Sequence, residues 1–281
     1  MSKVLRRFPR LLRLVNLVRY EMIYAIPIWR ELTTFNVGIS PADPEILAQP
    51  AGTREAFQLQ TYAEVFRAAD AERPVRPGDV MVEIAAGRGG GLGQLAGRAD
   101  WRCIGFERSW SAVRHARARG LDMRRAGAEQ LPQPAASCDY VVSVEGLMCC
   151  EDVIAATREA ARLLCHDGCL VLAEFHSGPI HHARAKLVRR ARACGLTITD
   201  FTDMTERARA AFLADEPRRA ALVASVPRLI VAGFAEMLGL DGTTRHAQWR
   251  DGQRSYYIAT LRPRRVAVPR RAATARPDVA A

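Results

Sequence analysis

Between residues 80 and 175, short and nearly unbroken apolar runs alternate with stretches in which apolar residues recur every three or four positions. The runs at 80–84, 102–107, 138–144 and 169–175 are rich in Val, Ile, Leu, Phe and Cys. Runs of this length without polar alternation predict strands buried on both faces, as in parallel sheets. Helical spacing predicts helices over 92–99, 109–119, 152–164 and 180–194, with Gly120 and Gly195 as stops. A short strand is expected near 122–125, and a helix over about 56–70 precedes the turn signal Arg76-Pro77-Gly78-Asp79. This alternation predicts an α/β fold, a doubly wound and mostly parallel Rossmann-like sheet.

Both ends depart from the rhythm. Leu11, Leu14, Val15, Val18 and Met22 recur at helical spacing among Arg10, Arg13 and Arg19. They predict a basic amphipathic helix that packs as an N-terminal cap or touches a membrane surface. Residues 36–54 read as loop. Asp203 and Glu206 have the spacing of a capping box. Helices are expected over 205–213 and 218–238. The stretches 244–249 and 255–261, split by Asp251-Gly252, predict a late antiparallel strand pair. Residues 263–281 have little to bury and are expected to be a disordered basic tail. The expected organisation is a cap over 1–55, one domain over 56–262 with a helical insert at about 201–241, and the tail.

Composition narrows this picture only a little. With 281 residues and 49% hydrophobic content the chain can build a sizeable core. A net charge of +11 is compatible with nucleic acid, anionic lipid or acidic substrates and selects none of them. The 7 cysteines are odd in number, and several lie in strand-like runs, which suits reduced thiols. Cys165 and Cys169 flank His-Asp-Gly without a second ligand pair, so a turn is expected there and no metal. No apolar run reaches the roughly 18–20 residues that span a bilayer. Arg13, Asn16, Arg19 and Glu21 interrupt the first apolar stretch and no cleavage signal follows. The cytoplasm is the expected location.

The chemistry concentrates after the first strand. Glu83 near its end is followed by Ala85, Gly87, Gly89, Gly90 and Gly91. Such a turn lets backbone N–H groups approach a ligand closely. The phosphate-binding Gly-Lys-Ser/Thr is missing, and a carboxylate at Glu83 is a poor neighbour for pyrophosphate. A cofactor with a cationic amino-acid end fits better. Glu107 ends the second strand about 20 residues on, where an acid accepts hydrogen bonds from ribose hydroxyls. Ala126-Gly127-Ala128-Glu129 follows the third strand, and Val144-Glu145 ends the fourth.

In this order, these elements resemble the class I S-adenosylmethionine-dependent methyltransferases over roughly residues 56–262. Val-Glu-Ile-Ala-Ala-Gly-Arg-Gly-Gly-Gly and Ser-Val-Glu-Gly-Leu-Met-Cys-Cys are most similar to the phthiotriolone and phenolphthiotriolone dimycocerosate methyltransferases and related natural-product enzymes. The resemblance implies that Tyr62, Glu83, Ala85, Gly87 and Gly89 lie at the methionine end of the cofactor. It implies that Glu107 binds the ribose and that Ala128 and Glu129 flank the adenine. Val144 and Glu145 would close the pocket. The sequence departs from the family twice: Gly127 replaces the usual Asp, and Leu147-Met148-Cys149 replaces Ser-His-Cys. A histidine near the transferring methyl is therefore missing from its usual place.

Methyl transfer to a hydroxyl needs alignment and a proton acceptor. His176, just past the fifth strand, and Glu145 are the candidate catalytic residues. Trp29, Phe35, Phe57, Phe201, Phe212, Phe234 and Met237 are candidate substrate walls, which favours an apolar natural product or lipid acceptor. O-methylation is expected, with C- or N-methylation open. An RNA or protein methyltransferase is a further alternative, but the Asn/Asp-Pro-Pro-aromatic tetrad is replaced by Glu145-Gly146-Leu147-Met148 and no nucleic acid partner is expected. A non-catalytic cofactor-binding scaffold, or a cyclase using the same pocket, is the third. A homo-oligomer is compatible with all of these.

Overall fold

The computed structural model describes residues 21–26, 29, 31–42 and 55–264. The positions 1–20 that carry most of the basic amphipathic pattern, and the expected tail from 265, lie outside the described residues.

Residues 21–25 are helical and 31–42 irregular. The main body begins with α1 (Ala56–Glu72), then β1 (Val80–Ile84), α2 (Gly90–Ala96), β2 (Arg102–Glu107), α3 (Trp110–Arg117) and β3 (Met123–Arg125). β4 (Cys138–Val144), α4 (Val153–Leu163), β5 (Leu164–Ser177), α5 (Ile180–Ala193) and β6 (Leu196–Asp203) follow. The chain ends with α6 (Thr205–Ala214), α7 (Glu216–Ala224), α8 (Val231–Leu238), α9 (Thr244–Arg250) and β7 (Arg254–Pro263). The strands form one seven-stranded sheet in the order β3-β2-β1-β4-β5-β7-β6, with β7 antiparallel to both of its neighbours. Strand order reverses between β1 and β4, which opens a crevice at their carboxyl ends.

Alternation along the strands sorts the core into two layers. Met81, Tyr140, Val142, Val171, Ala173, Tyr256 and Ile258 pack with α1, α2 and α6. Val82, Ile84, Val141, Leu170, Leu172, Tyr257 and Leu261 pack with α4 and α5. This two-sided burial is why the strands carry few polar residues.

The late region corrects the sequence reading. The partner of β7 is β6, with Ile198 opposite Leu261 and Phe201 opposite Ala259. The stretch 244–249 is helix rather than strand. The Thr243 hydroxyl caps it by accepting from the His246 amide at 3.2 Å. The buried His246 and Trp249 are three residues apart, which is helical spacing. The expected helix over 218–238 is interrupted by Pro227 and a 3₁₀ turn at Arg228–Ile230. No capping box forms at 203–206, because Met204 takes the cap position of α6 and Asp203 accepts from the Thr205 amide. The expected turn at 165–169 is a register irregularity within β5: Cys138 pairs with Leu164 and Tyr140 with Cys169.

Candidate active site

The crevice is floored by two strained backbone positions. Ala85 after β1 has φ 57° and Glu145 after β4 has φ 54°, the left-handed region that favours glycine. Such strain persists where surrounding structure holds it, often at functional sites. Here the two loops touch: a Cβ on Gly146 would lie 2.7 Å from that of Ala85. Only glycine permits this approach.

On one side of the contact is a cavity of about 120 Å³ walled by Ala85, Glu107, Ala128, Glu129, Gly146 and Cys150. Glu107 is held by backbone amides, Gly87 N–H at 3.0 Å on one oxygen and Ser109 N–H at 2.9 Å on the other. Burial raises its pKa and these amide bonds pull the other way. A carboxylate has about four lone-pair sites. The Arg108 amide bonds it as well, so three are used and one is left to accept a hydroxyl donor from the cavity.

Beside it lies a buried acid. Glu83 is 1% exposed and is hydrogen-bonded by the Tyr62 hydroxyl, while its Oε2 has no partner among the described residues. Burial pushes its pKa up to about 8; the Tyr62 bond lowers it and the nearby Glu107 charge raises it further. Tyr62 stands where it does because Gly91 leaves room: a Cβ there would fall 1.9 Å from the ring. Gly91→Ala is therefore expected to displace Tyr62, cost about 1–3 kcal/mol of stability by overpacking, and weaken cofactor binding. Denaturant unfolding and calorimetry measure the two effects.

On the other side is a larger cavity of about 260 Å³, mostly apolar, walled by Trp29, Phe35, Phe175, Phe212, Leu222 and Met237. Glu145 is also on its wall, with Arg218, Arg219 and Arg245. One Glu145 oxygen accepts from the Val37 amide at 2.7 Å and from the Tyr256 hydroxyl at 3.1 Å. Burial pushes its pKa up to about 7, against the Val37 and Tyr256 bonds and the Arg245 and Arg254 charges, which lower it. Tyr24 and Cys149 line both cavities, so the two meet there.

Residues 21–26, 29 and 31–37 form the roof, and one residue of the glycine turn clamps it. Arg88 is 2% exposed and donates to the backbone carbonyls of Tyr24, Trp29 and Leu32. Glu55 accepts from the amides and hydroxyls of Thr33 and Thr34. Glu21 accepts from the first amides of α3, at Trp110 and Ser111. Hydrogen bonds from a charged donor are worth about 1.5–3 kcal/mol each. Arg88→Ala is expected to expose this roof to limited proteolysis while the sheet stays folded.

The structure gathers Ala85, Glu107, Ala128, Glu129 and Glu145 on cavity walls, with Tyr62 and Glu83 paired near them. Gly87 faces the Tyr24 hydroxyl. The free side of Gly89 points at Leu121, Ala116 and Met123, and this residue caps α2 and packs toward α3. Val144 packs in the core layer with Val142.

His176 lies within β5 rather than past its end. Along β5, Phe175 lines both the apolar cavity and a cavity against α5, while Glu174 and His176 line only the latter. Burial with the Lys186 and His182 charges lowers the His176 pKa. It does not share the Glu145 cavity. Of the expected aromatic walls, Trp29, Phe35, Phe212 and Met237 line the apolar cavity. Phe234 packs on Trp29, Phe201 stacks on Tyr257, and Phe57 abuts Gly38.

Sequence reasoning missed Tyr24, Cys149, Arg88 and Tyr256. An arginine inside a glycine run was the visible oddity, but nothing local announces that it is buried.

The profile of a family described as a methyltransferase domain matches residues 82–172, about a third of the chain. No curated protein matches it in sequence. The fold is similar to that of the [4+2]-cyclase SpnF, with TM-score 0.68, 18% identity, and coverage of 89% of this chain and 95% of that one. It is also similar to a geranyl diphosphate methyltransferase bound to GPP and sinefungin, with TM-score 0.64, 20% identity, and coverage of 88% and 98%. Geranyl diphosphate C-methyltransferase from Streptomyces coelicolor, solved with Mg2+, geranyl-S-thiolodiphosphate and S-adenosyl-L-homocysteine, gives TM-score 0.62, 19% identity, and coverage of 88% and 96%. Residues 82–172, which hold the glycine turn, Glu107 and Glu145, match a methyltransferase-domain family, and the fold around them is one that S-adenosylmethionine-dependent methyltransferases share.

Proposed function

We propose that this protein methylates an oxygen of a small, largely apolar natural product or lipid. The observation that carries the reading is the meeting of the two cavities at Tyr24 and Cys149, with Glu145 on the wall of the apolar one. Glu107 would hold the ribose through its remaining acceptor site, and Ala128 and Glu129 would flank the adenine. The partnerless Oε2 of Glu83 fits an ammonium donor, which the amino-acid end of the cofactor carries. When bound, S-adenosylmethionine supplies an electrophilic methyl group.

The chain's own residues then orient and deprotonate. The aromatic walls hold the acceptor body and exclude water. Glu145 takes the hydroxyl proton, and its pKa of about 7 suits a base working near neutral pH. Tyr256 and the Val37 amide fix its orientation. This base replaces the histidine missing from Leu147-Met148-Cys149. The resemblance to phthiotriolone dimycocerosate methyltransferases, together with the apolar walls, points to a long-chain or polyketide hydroxyl.

The test uses methyl-labelled S-adenosylmethionine and organic extracts, followed by magnetic resonance of the labelled product. A methoxy carbon supports the proposal; a new C- or N-methyl moves the acceptor atom. Saturation with cofactor but no label transfer to any extract would favour a cofactor-binding scaffold, or a cyclase such as the structurally similar SpnF.

A further inference from the structure

The other face of the sheet carries a third, larger cavity. It lies between α4 and α5 over the end of β5, and its volume is about 700 Å³. That is within the range of small-molecule sites, roughly 300–1,000 Å³. Its floor is polar and deeply buried. Glu174, 3% exposed, accepts from Arg190 at 2.9 Å and from the Tyr257 hydroxyl at 2.5 Å, both on Oε2.

The triad is incompletely satisfied. Glu174 Oε1 and Arg190 Nε are buried and have no hydrogen-bond partner among the described residues. Buried polar groups in native proteins nearly always find partners. Both residues belong to the cavity wall, so a ligand there can supply them: a hydroxyl or amide donor to the acid, and an acceptor to the guanidinium.

The rim adds a second recognition element. Lys186 and Arg189 come from exposed positions of α5 and line the cavity. α5 contains no acidic residue to neutralise them. Ile154 and Leu187 supply apolar wall between rim and floor. The order from outside inward is therefore cationic, apolar, then a paired acceptor and donor.

We propose that this cavity is a second ligand site, beside the candidate active site and sharing Phe175 as a wall. It takes a small organic acid whose anionic end meets Lys186 and Arg189, whose body is aromatic or apolar, and whose inner end bears a hydroxyl or amide. Glu174 and Arg190 read the inner end. His176 stands on this wall, which gives it a place outside the methyl-transfer cavity.

A suitable probe is 4-hydroxycinnamate, which has a carboxylate, an aromatic body and a terminal hydroxyl. It is titrated calorimetrically into the full chain in the presence of excess S-adenosylhomocysteine. The wild type is expected to bind one equivalent, with Kd of about 1 mM or tighter. K186A/R189A is expected to weaken binding about tenfold or more, and E174Q severalfold. R184A, on the same helix but away from this cavity, leaves binding unchanged. Because the variants report where the probe sits, the result is readable whatever the methyl acceptor is. No saturation by the wild type, equal binding by K186A/R189A, or an equal loss in R184A would each overturn the proposal.

Discussion

E145Q transfers methyl groups about 10²- to 10⁴-fold more slowly than the wild type, the usual contribution of a positioned general base. Its cofactor affinity is unchanged, because Glu145 lies on the wall of the apolar cavity and not of the nucleoside-side one. The amide keeps an acceptor oxygen for the Val37 amide and the Tyr256 hydroxyl, so the strained tip of β4 holds its shape. The sign of the pH effect follows from the mechanism. A base works only when deprotonated, and burial sets the Glu145 pKa at about 7. Wild-type kcat/KM therefore rises with pH through about 7 and then levels. In E145Q that limb is absent. Initial rates across pH, with circular dichroism to establish folding, decide the matter. An E145Q rate near wild type would leave proximity alone as the chain's contribution.

Cofactor affinity itself rises with pH and levels above about 8. Glu83 is buried, and its raised pKa means that the free protein holds a proton there at neutral pH. An ammonium bound to Oε2 needs the carboxylate, so binding releases that proton. Below the pKa, affinity falls by about tenfold per pH unit, the limit for one linked proton. S-adenosylhomocysteine, which keeps the ammonium, shows the same slope. Methylthioadenosine, which lacks the amino-acid end, shows none, and E83Q removes the slope for the other two. Calorimetry in buffers of different ionisation heat counts the proton directly.

The sequence was most legible where a run is buried on both faces. The bounds of β1, β2 and β4 coincide with the apolar runs at 80–84, 102–107 and 138–144. It was least legible where two patterns compete. β6 reads Leu-Thr-Ile-Thr-Asp-Phe-Thr-Asp, and its exposed edge position leaves five of eight residues exposed, so no apolar run marks it. α9 has seven residues, too few to display a period, and it is fixed by its Thr243 cap and the buried Trp249. The acids at the strand ends could be located because a switch-point crevice lies at those ends. Glu145 could be named, but its partners could not. Val37 and Tyr256 are 108 and 111 residues away, and only the folded sheet brings them together. His176 was read as lying past the fifth strand, but β5 runs on to Ser177 and carries it on the wall of the cavity against α5.

The central claim is that the turn after β1 and the acid ending β2 form one cofactor site. The most direct measurement is calorimetric titration of S-adenosylmethionine into the wild type, E107A and E145Q at pH 8.5. The account predicts saturable one-to-one binding by the wild type and E145Q, and a loss of about tenfold or more in E107A, which forfeits a charge-assisted hydrogen bond to the ribose. A folded wild type that fails to saturate, or an E107A protein that binds as tightly, contradicts it.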